Sequence, residues 1–226
     1  MNCVSLVCTV HDEKGLANVS ELRAILERIR PEVIFLEVPP AAFDEYFEIC
    51  SRENLESIAV RKYRESHQVA LVPVDLPTPG EDFFRNNQYL FKRIEEKSHE
   101  YCRLIDWDST YVSTYGFAYL NSEHSSKLWS GVYREMLSTI RRIDDSRLVE
   151  LYELWNKAID LREKEMMNNI QKYCRENTFD RSVFLAGAAH RQRIIDKSRE
   201  QSAVDSTGMQ WDFASWLSQM TRESDV

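Results

Sequence analysis

Residues 33–40 read VIFLEVPP, an apolar, β-branched run that carries one carboxylate, Glu37, and stops at two prolines. A short continuous apolar run of this kind is the pattern of a parallel strand buried on both faces, and Pro39-Pro40 ends it. On its N-terminal side, Leu22, Ile25, Leu26 and Ile29 follow helical spacing. Ser20 is the expected N-cap of that helix and Pro31 its stop. Further back, Val4 to Val10 is a second apolar run that ends at His11-Asp12, before the loop DEKGLAN. On the C-terminal side a shorter, more polar helical region covers roughly Ala41 to Ser66. VALVPV (Val69 to Val74) then makes a third strand, closed by Asp75 and a Pro77/Pro79/Gly80 loop. Pro73 inside it favours an edge or strand-end position. The first 75 residues thus predict β-α-β followed by a further α-β unit.

From Glu81 to Cys174 the pattern changes to long helices. Phe83, Phe84, Leu90, Phe91 and Ile94 recur at helical intervals, as do Leu128, Val132, Met136, Leu137 and Ile140. YVSTYGFAYL (Tyr111 to Leu120) reads as a short strand or a buried loop. Leu148, Leu151, Trp155, Ile159, Met166, Ile170 and Tyr173 form one long helical stripe. VFLAGAA (Val183 to Ala189) returns to strand character, a helix begins near His190, and the final TRESDV is expected to fray. The fold class expected is α/β: a mainly parallel central sheet flanked by helices, one domain over 1–226. Residues 81–148 would be a helical insertion or cap within it.

A net charge of −8 disfavours nucleic acid as a partner, since an acidic surface repels phosphate backbones. Five cysteines, odd in number and without a CxxC pair, read as small buried hydrophobes in a reducing compartment. The N-terminus has no basic region and cleavage site of a signal peptide, and no apolar run approaches membrane-spanning length. A cytoplasmic protein with no membrane association is expected. Homo-oligomerisation is left open.

His11, Glu37, Asp75 and His190 each fall at or just past the end of a predicted strand. In a parallel sheet all four emerge on the C-terminal edge, where open α/β sheets bind their ligands. Singly each has a plainer reading: His11 as a loop histidine, Asp75 as the cap of the following turn, His190 as a residue opening a helix. Glu37 is harder to dismiss, because a carboxylate inside an apolar strand must find a partner or shift its pKa. Arg162, on the apolar stripe of the long helix, is its natural partner, unless it snorkels outward from the stripe's edge. Glu163 and Glu165 beside it read as solvated, and His67, His99 and His124 as surface residues in polar contexts. Trp107, Tyr111, Tyr115 and Trp129 read as core rather than pocket lining.

Two mechanisms suit such a set. His11, Glu37 and His190 would ligate a divalent metal that activates water, or one histidine would act as general base with the glutamate orienting it. Arg162 would neutralise the carboxylate or stabilise an oxyanion, with Asp75 and Asp12 supporting from behind.

CTVH (Cys8 to His11), RPEVIFLE ending in Glu37, LREKEM around Arg162 and GAAH (Gly187 to His190) resemble the TraB/Tiki-type superfamily, which includes erythromycin esterases and ChaN-like haem-binding proteins. The chain departs from the pattern at Cys8, where the opening motif has Gly, and after Glu37, where the Arg that often follows in the TraB branch is missing and Pro39-Pro40 come next. The resemblance implies a hydrolase of peptidase or esterase type, metal-dependent in some members, with His11, Glu37, Arg162 and His190 as site residues. Its substrate would be a small molecule or peptide. The alternatives it implies are a non-catalytic haem-type binding protein and an interaction module with a decayed site.

Overall fold

The computed structural model describes residues 2–77, 79–202 and 209–217. Among these, one all-parallel sheet comprises β1 (Cys3–Thr9), β2 (Val33–Leu36), β3 (Ala70–Pro73), β4 (Arg181–Gly187) and β5 (Gln210–Asp212), in spatial order β3-β2-β4-β1-β5. β1, β2 and β4 hold its centre and are almost wholly buried, which is why they read as unbroken apolar runs. β3 lies at an edge and Pro73 is its last residue, so the missing N–H costs no central ladder bond. The fold is the expected α/β class.

The helices are α1 (Val19–Ile29), α2 (Phe43–Phe47), α3 (Leu55–Arg64), α4 (Glu81–Lys97), α5 (His99–Leu120), α6 (Glu123–Ile143), α7 (Ser146–Glu176) and α8 (Arg191–Ser202), with 3-10 turns at Pro40–Ala42 and Ala188–His190. Three local expectations are corrected. Asn18, not Ser20, caps α1: its side chain accepts from the Glu21 amide, because the chain enters the helix at Val19. The region 41–66 is two helices, and the second starts at an Asn54/Ser57 capping box. Tyr111 to Leu120 is neither strand nor loop but the second half of α5. That half buries Val112, Phe117 and Leu120 at helical spacing and kinks at Gly116, whose φ is +52°. The φ of Gly15 is +56°, and there the backbone of the loop after β1 meets that of α5, with the Leu16 amide donating to Ser113 at 2.9 Å. Side chains at Gly15 and Gly116 would collide with the Ser113 and Leu16 backbones respectively.

One apolar cluster surrounds the sheet. A second, with Leu90, Ile94, Val132, Met136, Ile140 and Leu148, lies among α4, α6 and α7. The 31-residue α7 serves both, the N-terminal part through Leu148 and Leu151 and the C-terminal part through Met166, Met167 and Ile170. Cys8 and Cys174 are buried as expected, whereas Cys50 is exposed. No helix among the described residues is long and apolar enough to cross a membrane. The TRESDV segment lies outside the described residues.

β5 pairs only with Cys3 to Ser5, so Cys8 has no strand neighbour on that side. Asn121, just after α5, supplies one: its Oδ1 accepts from the Cys8 amide at 2.7 Å and its Nδ2 donates to the Cys8 carbonyl at 3.0 Å. Asn121→Ala orphans both buried backbone groups and is expected to cost about 2–3 kcal/mol. Urea denaturation checks this; a loss below about 0.5 kcal/mol would show that the two groups find other partners.

Candidate functional site

The parallel register places the ends of β1, β2, β3 and β4 on one side of the sheet, and the four polar residues emerge there. Glu37 is the first residue after β2 rather than a member of it. Asp75 follows β3 by two positions, His11 follows β1 by two, and His190 ends the turn after β4. His11, Glu37, Asp75 and Arg162 all line one cleft of about 480 Å3, with Asp12 and Arg52 at its wall and Phe83 and Phe84 at the start of α4.

Glu37 is the hub. Arg162 Nη2 donates to its Oε1 at 2.8 Å, the Gly187 amide donates to its Oε2 at 2.7 Å, and His190 Nε2 stands 3.3 Å from Oε1. Burial alone would raise the Glu37 carboxyl, but His190, Arg162 and the Gly187 amide hold it far below the usual carboxylate range. Arg162 therefore pairs inward, as its place on the stripe suggested, and it spans two carboxylates. Its Nε and Nη2 also bond Asp75, at 3.1 Å to Oδ1 and 2.6 Å to Oδ2. Asp75 Oδ1 in addition accepts from the Leu76 amide at 2.8 Å, so the turn-capping role and the ion pair coexist.

His190 is buried between two carboxylates. Its Nδ1 lies 2.8 Å from Glu163 Oε1, and its Nε2 faces Glu37. Burial pulls this imidazole down, yet the two carboxylates push it up to about 9, so it is an imidazolium at neutral pH. The reading of Glu163 as solvated is wrong. Its side chain is fully buried and also accepts from Arg193 Nε at 2.9 Å and Lys197 Nζ at 2.8 Å. The signal that could have found it is spacing: Glu163 stands three, four and seven residues before Met166, Met167 and Ile170, on the same stripe.

His11 differs in kind, with a side chain 63% exposed. Its Nδ1 lies 3.1 Å from Glu56 Oε1, which also accepts from the Thr9 hydroxyl at 2.6 Å. The bond to Glu56 raises its pKa to about 9 against the opposing effect of burial. Glu56 was absent from the sequence reading; it lies on α3, a polar helix with nothing local to tie it to His11. Its second oxygen, Oε2, is buried without a hydrogen-bond partner among the described residues. Beside it lies a small hollow of about 20 Å3, lined by His11, Glu37, Asn54, Glu56 and Ser57 with apolar walls from Leu36 and Leu185.

The metal-ligand set His11, Glu37 and His190 does not present itself. Both His190 nitrogens face carboxylates, Glu37 Oε1 is taken by a guanidinium, and His11 turns to Glu56. No group of three or more His, Cys, Asp or Glu side chains among the described residues is disposed to hold a metal ion. The cations that compensate Glu37 are His190 and Arg162. His99 and His124 are exposed as expected, whereas His67 is half-buried and stacks on Tyr63. Trp107 and Tyr115 are exposed rather than core.

No protein-family model matches the chain, and no curated protein matches it significantly. Among solved structures it is similar to an erythromycin esterase mutant in its open conformation, at 14% identity and a TM-score of 0.36. The match covers 81% of this chain, which spans 60% of the length of that one.

Proposed function

We propose that the protein is a hydrolase of small-molecule esters or amides, in which the hollow between His11, Glu37 and Glu56 holds the attacking water. The observation that carries this reading is the hollow itself. Its volume of about 20 Å3 suits one water, and the polar residues His11, Glu37, Asn54, Glu56 and Ser57 line it. It adjoins the larger cleft, since His11, Glu37, Val38 and Asn54 line both. In this reading Glu56 orients His11, the neutral imidazole accepts the water's proton, and Glu37 stays an anion that aligns the water. Arg162 and His190 keep Glu37 ionised and in place. His190 is then a positioning residue rather than a group that touches substrate. The motif resemblance to the TraB/Tiki-type superfamily supports four of these five residues, His11, Glu37, Arg162 and His190. No metal step is included, because the donor set is already committed to cations and hydrogen bonds.

A histidine with a pKa of about 9 is the wrong protonation state for a base at neutral pH. The expected kcat/KM therefore rises with pH and levels off above about 9. His11→Ala is expected to lower kcat/KM on a responsive substrate, found in a panel of chromogenic esters, lactones and amides, by roughly 100-fold. Its thermal midpoint should change little, because the side chain is exposed. A His11→Ala protein with full activity would remove His11 from the mechanism. A protein that turns over none of the panel but gives a Soret band on haem titration, lost on removing a cleft histidine, would move the reading to ligand binding.

A further inference from the structure

A second cleft, of about 670 Å3, is built from the start of α6, from α8 and from the residues that follow β5. Its wall carries Lys127, Arg134, Arg191 and Arg199 against a single carboxylate, Glu123, and its floor is apolar, with Ile195, Phe213 and Leu217. This is a concentrated positive site on a chain of net charge −8. Lys127 is 3.3 Å from Glu123 with both side chains exposed, and Arg199 is 3.8 Å from Asp196, so these two are at least partly neutralised.

Arg191 is the exception. Its residue is only 6% exposed, and its charge meets neutral groups alone: Nη1 donates to the Ser126 hydroxyl at 3.1 Å and Nη2 to the Phe213 carbonyl at 3.4 Å. Its Nε has no hydrogen-bond partner, and no carboxylate pairs with it among the described residues. A buried guanidinium is normally paired, because an unpaired buried charge is costly. Two half-buried arginines follow that rule, with Arg162 on Glu37 and Asp75 and Arg193 on Glu163. Among the described residues Arg191 thus lacks the anion that its environment calls for, and it lines a cleft large enough to admit one with an organic body attached.

We propose that this cleft binds a small organic phosphomonoester, with the phosphoryl group on Arg191 and the organic body on the apolar floor. Arginine is the side chain best suited to bind phosphoryl oxygens in pairs, and the surrounding cations favour a dianion over a carboxylate. The inference does not depend on the hydrolytic reading, which concerns other residues.

Isothermal titration of the full chain with phenyl phosphate tests it, with phenol, benzoate, inorganic phosphate and a single-stranded RNA oligonucleotide as comparison probes. The expected result is saturable one-to-one binding that weakens with added salt, and in which phenyl phosphate outcompetes benzoate and phenol. Arg191→Lys keeps the charge but loses the fork, and should weaken binding about tenfold. The exposed pair Lys127→Gln with Arg199→Gln should weaken it severalfold without touching the core, and it decides the matter if Arg191→Lys does not fold. Absence of saturable phenyl phosphate binding would overturn the proposal. So would equal affinity for phenol, binding of RNA alone, or unchanged affinity in the folded variants.

Discussion

Glu163→Ala is expected to destabilise the protein by about 3–5 kcal/mol, read as a lower urea midpoint at pH 7 with the folded baseline intact. Glu163 is fully buried and accepts from three cationic side chains, His190 at 2.8 Å, Arg193 at 2.9 Å and Lys197 at 2.8 Å. Removing it leaves a cavity and strips three partly or wholly buried cations of their shared anion. Lys197 and Arg193 retain Asp160, at 2.9 and 3.8 Å, but that carboxylate is more exposed. His190 retains only Glu37. The pH dependence separates this account from simple cavity formation. His190 has a folded pKa raised to about 9 from 6.5, so the stability it contributes is fully present below about 6.5 and is lost as pH rises through about 9. The gap between wild type and Glu163→Ala should therefore narrow above pH 9, where the wild type has already lost the imidazolium. A gap constant from pH 6 to 10 would mean that the His190 pair contributes nothing beyond packing.

Arg162→Met is the complementary change, and about 3–5 kcal/mol is again expected at pH 7. Methionine replaces the buried stem but leaves Glu37 and Asp75 facing each other without the guanidinium that bonds both. The sign of the pH effect is opposite. Glu37 has a depressed pKa in the folded wild type, so its stabilisation is present above the ordinary carboxylate range and is lost as pH falls. Without Arg162, Glu37 keeps His190 and the Gly187 amide but is less depressed, so the variant has less of this stabilisation to lose. Acidification from pH 7 to 4 should then cost the wild type more than the variant, and the two urea midpoints should converge. Parallel loss in both proteins would show that Arg162 does not set the charge state of Glu37. Together the two substitutions define a stability plateau bounded by Glu37 on the acid side and His190 on the alkaline side.

The Arg162–Glu37 pair was legible because both residues break an apolar pattern: a carboxylate at the end of an apolar strand and a guanidinium on a helical stripe each demand a partner. The alignment of His11, Glu37, Asp75 and His190 on one edge follows from parallel strands alone. Glu163 was misread because α7 changes its neighbours along its length. Its N-terminal part packs in the helical cluster through Leu148 and Leu151, its C-terminal part on the sheet. Glu163 lies at helical spacing from Met166, Met167 and Ile170, on the part of the helix that the second contact surface buries.

The sequence by itself determined the parallel α/β fold and the edge of the sheet where polar groups gather, because burial on both faces of a strand writes an unbroken apolar run and burial on one face of a helix a period of 3.6 residues. Beyond the Arg162–Glu37 pair, only the tertiary structure decided which group pairs with which. Glu56 meets His11 across 45 residues, Glu163 meets His190 across 27, and Arg191 is buried with no carboxylate partner among the described residues. Such partnerships depend on strand order and on how each helix is rotated against the sheet, and no spacing along the chain encodes either. The same residues that would make a metal site at the level of composition are, once folded, a chain of compensated charges around Glu37.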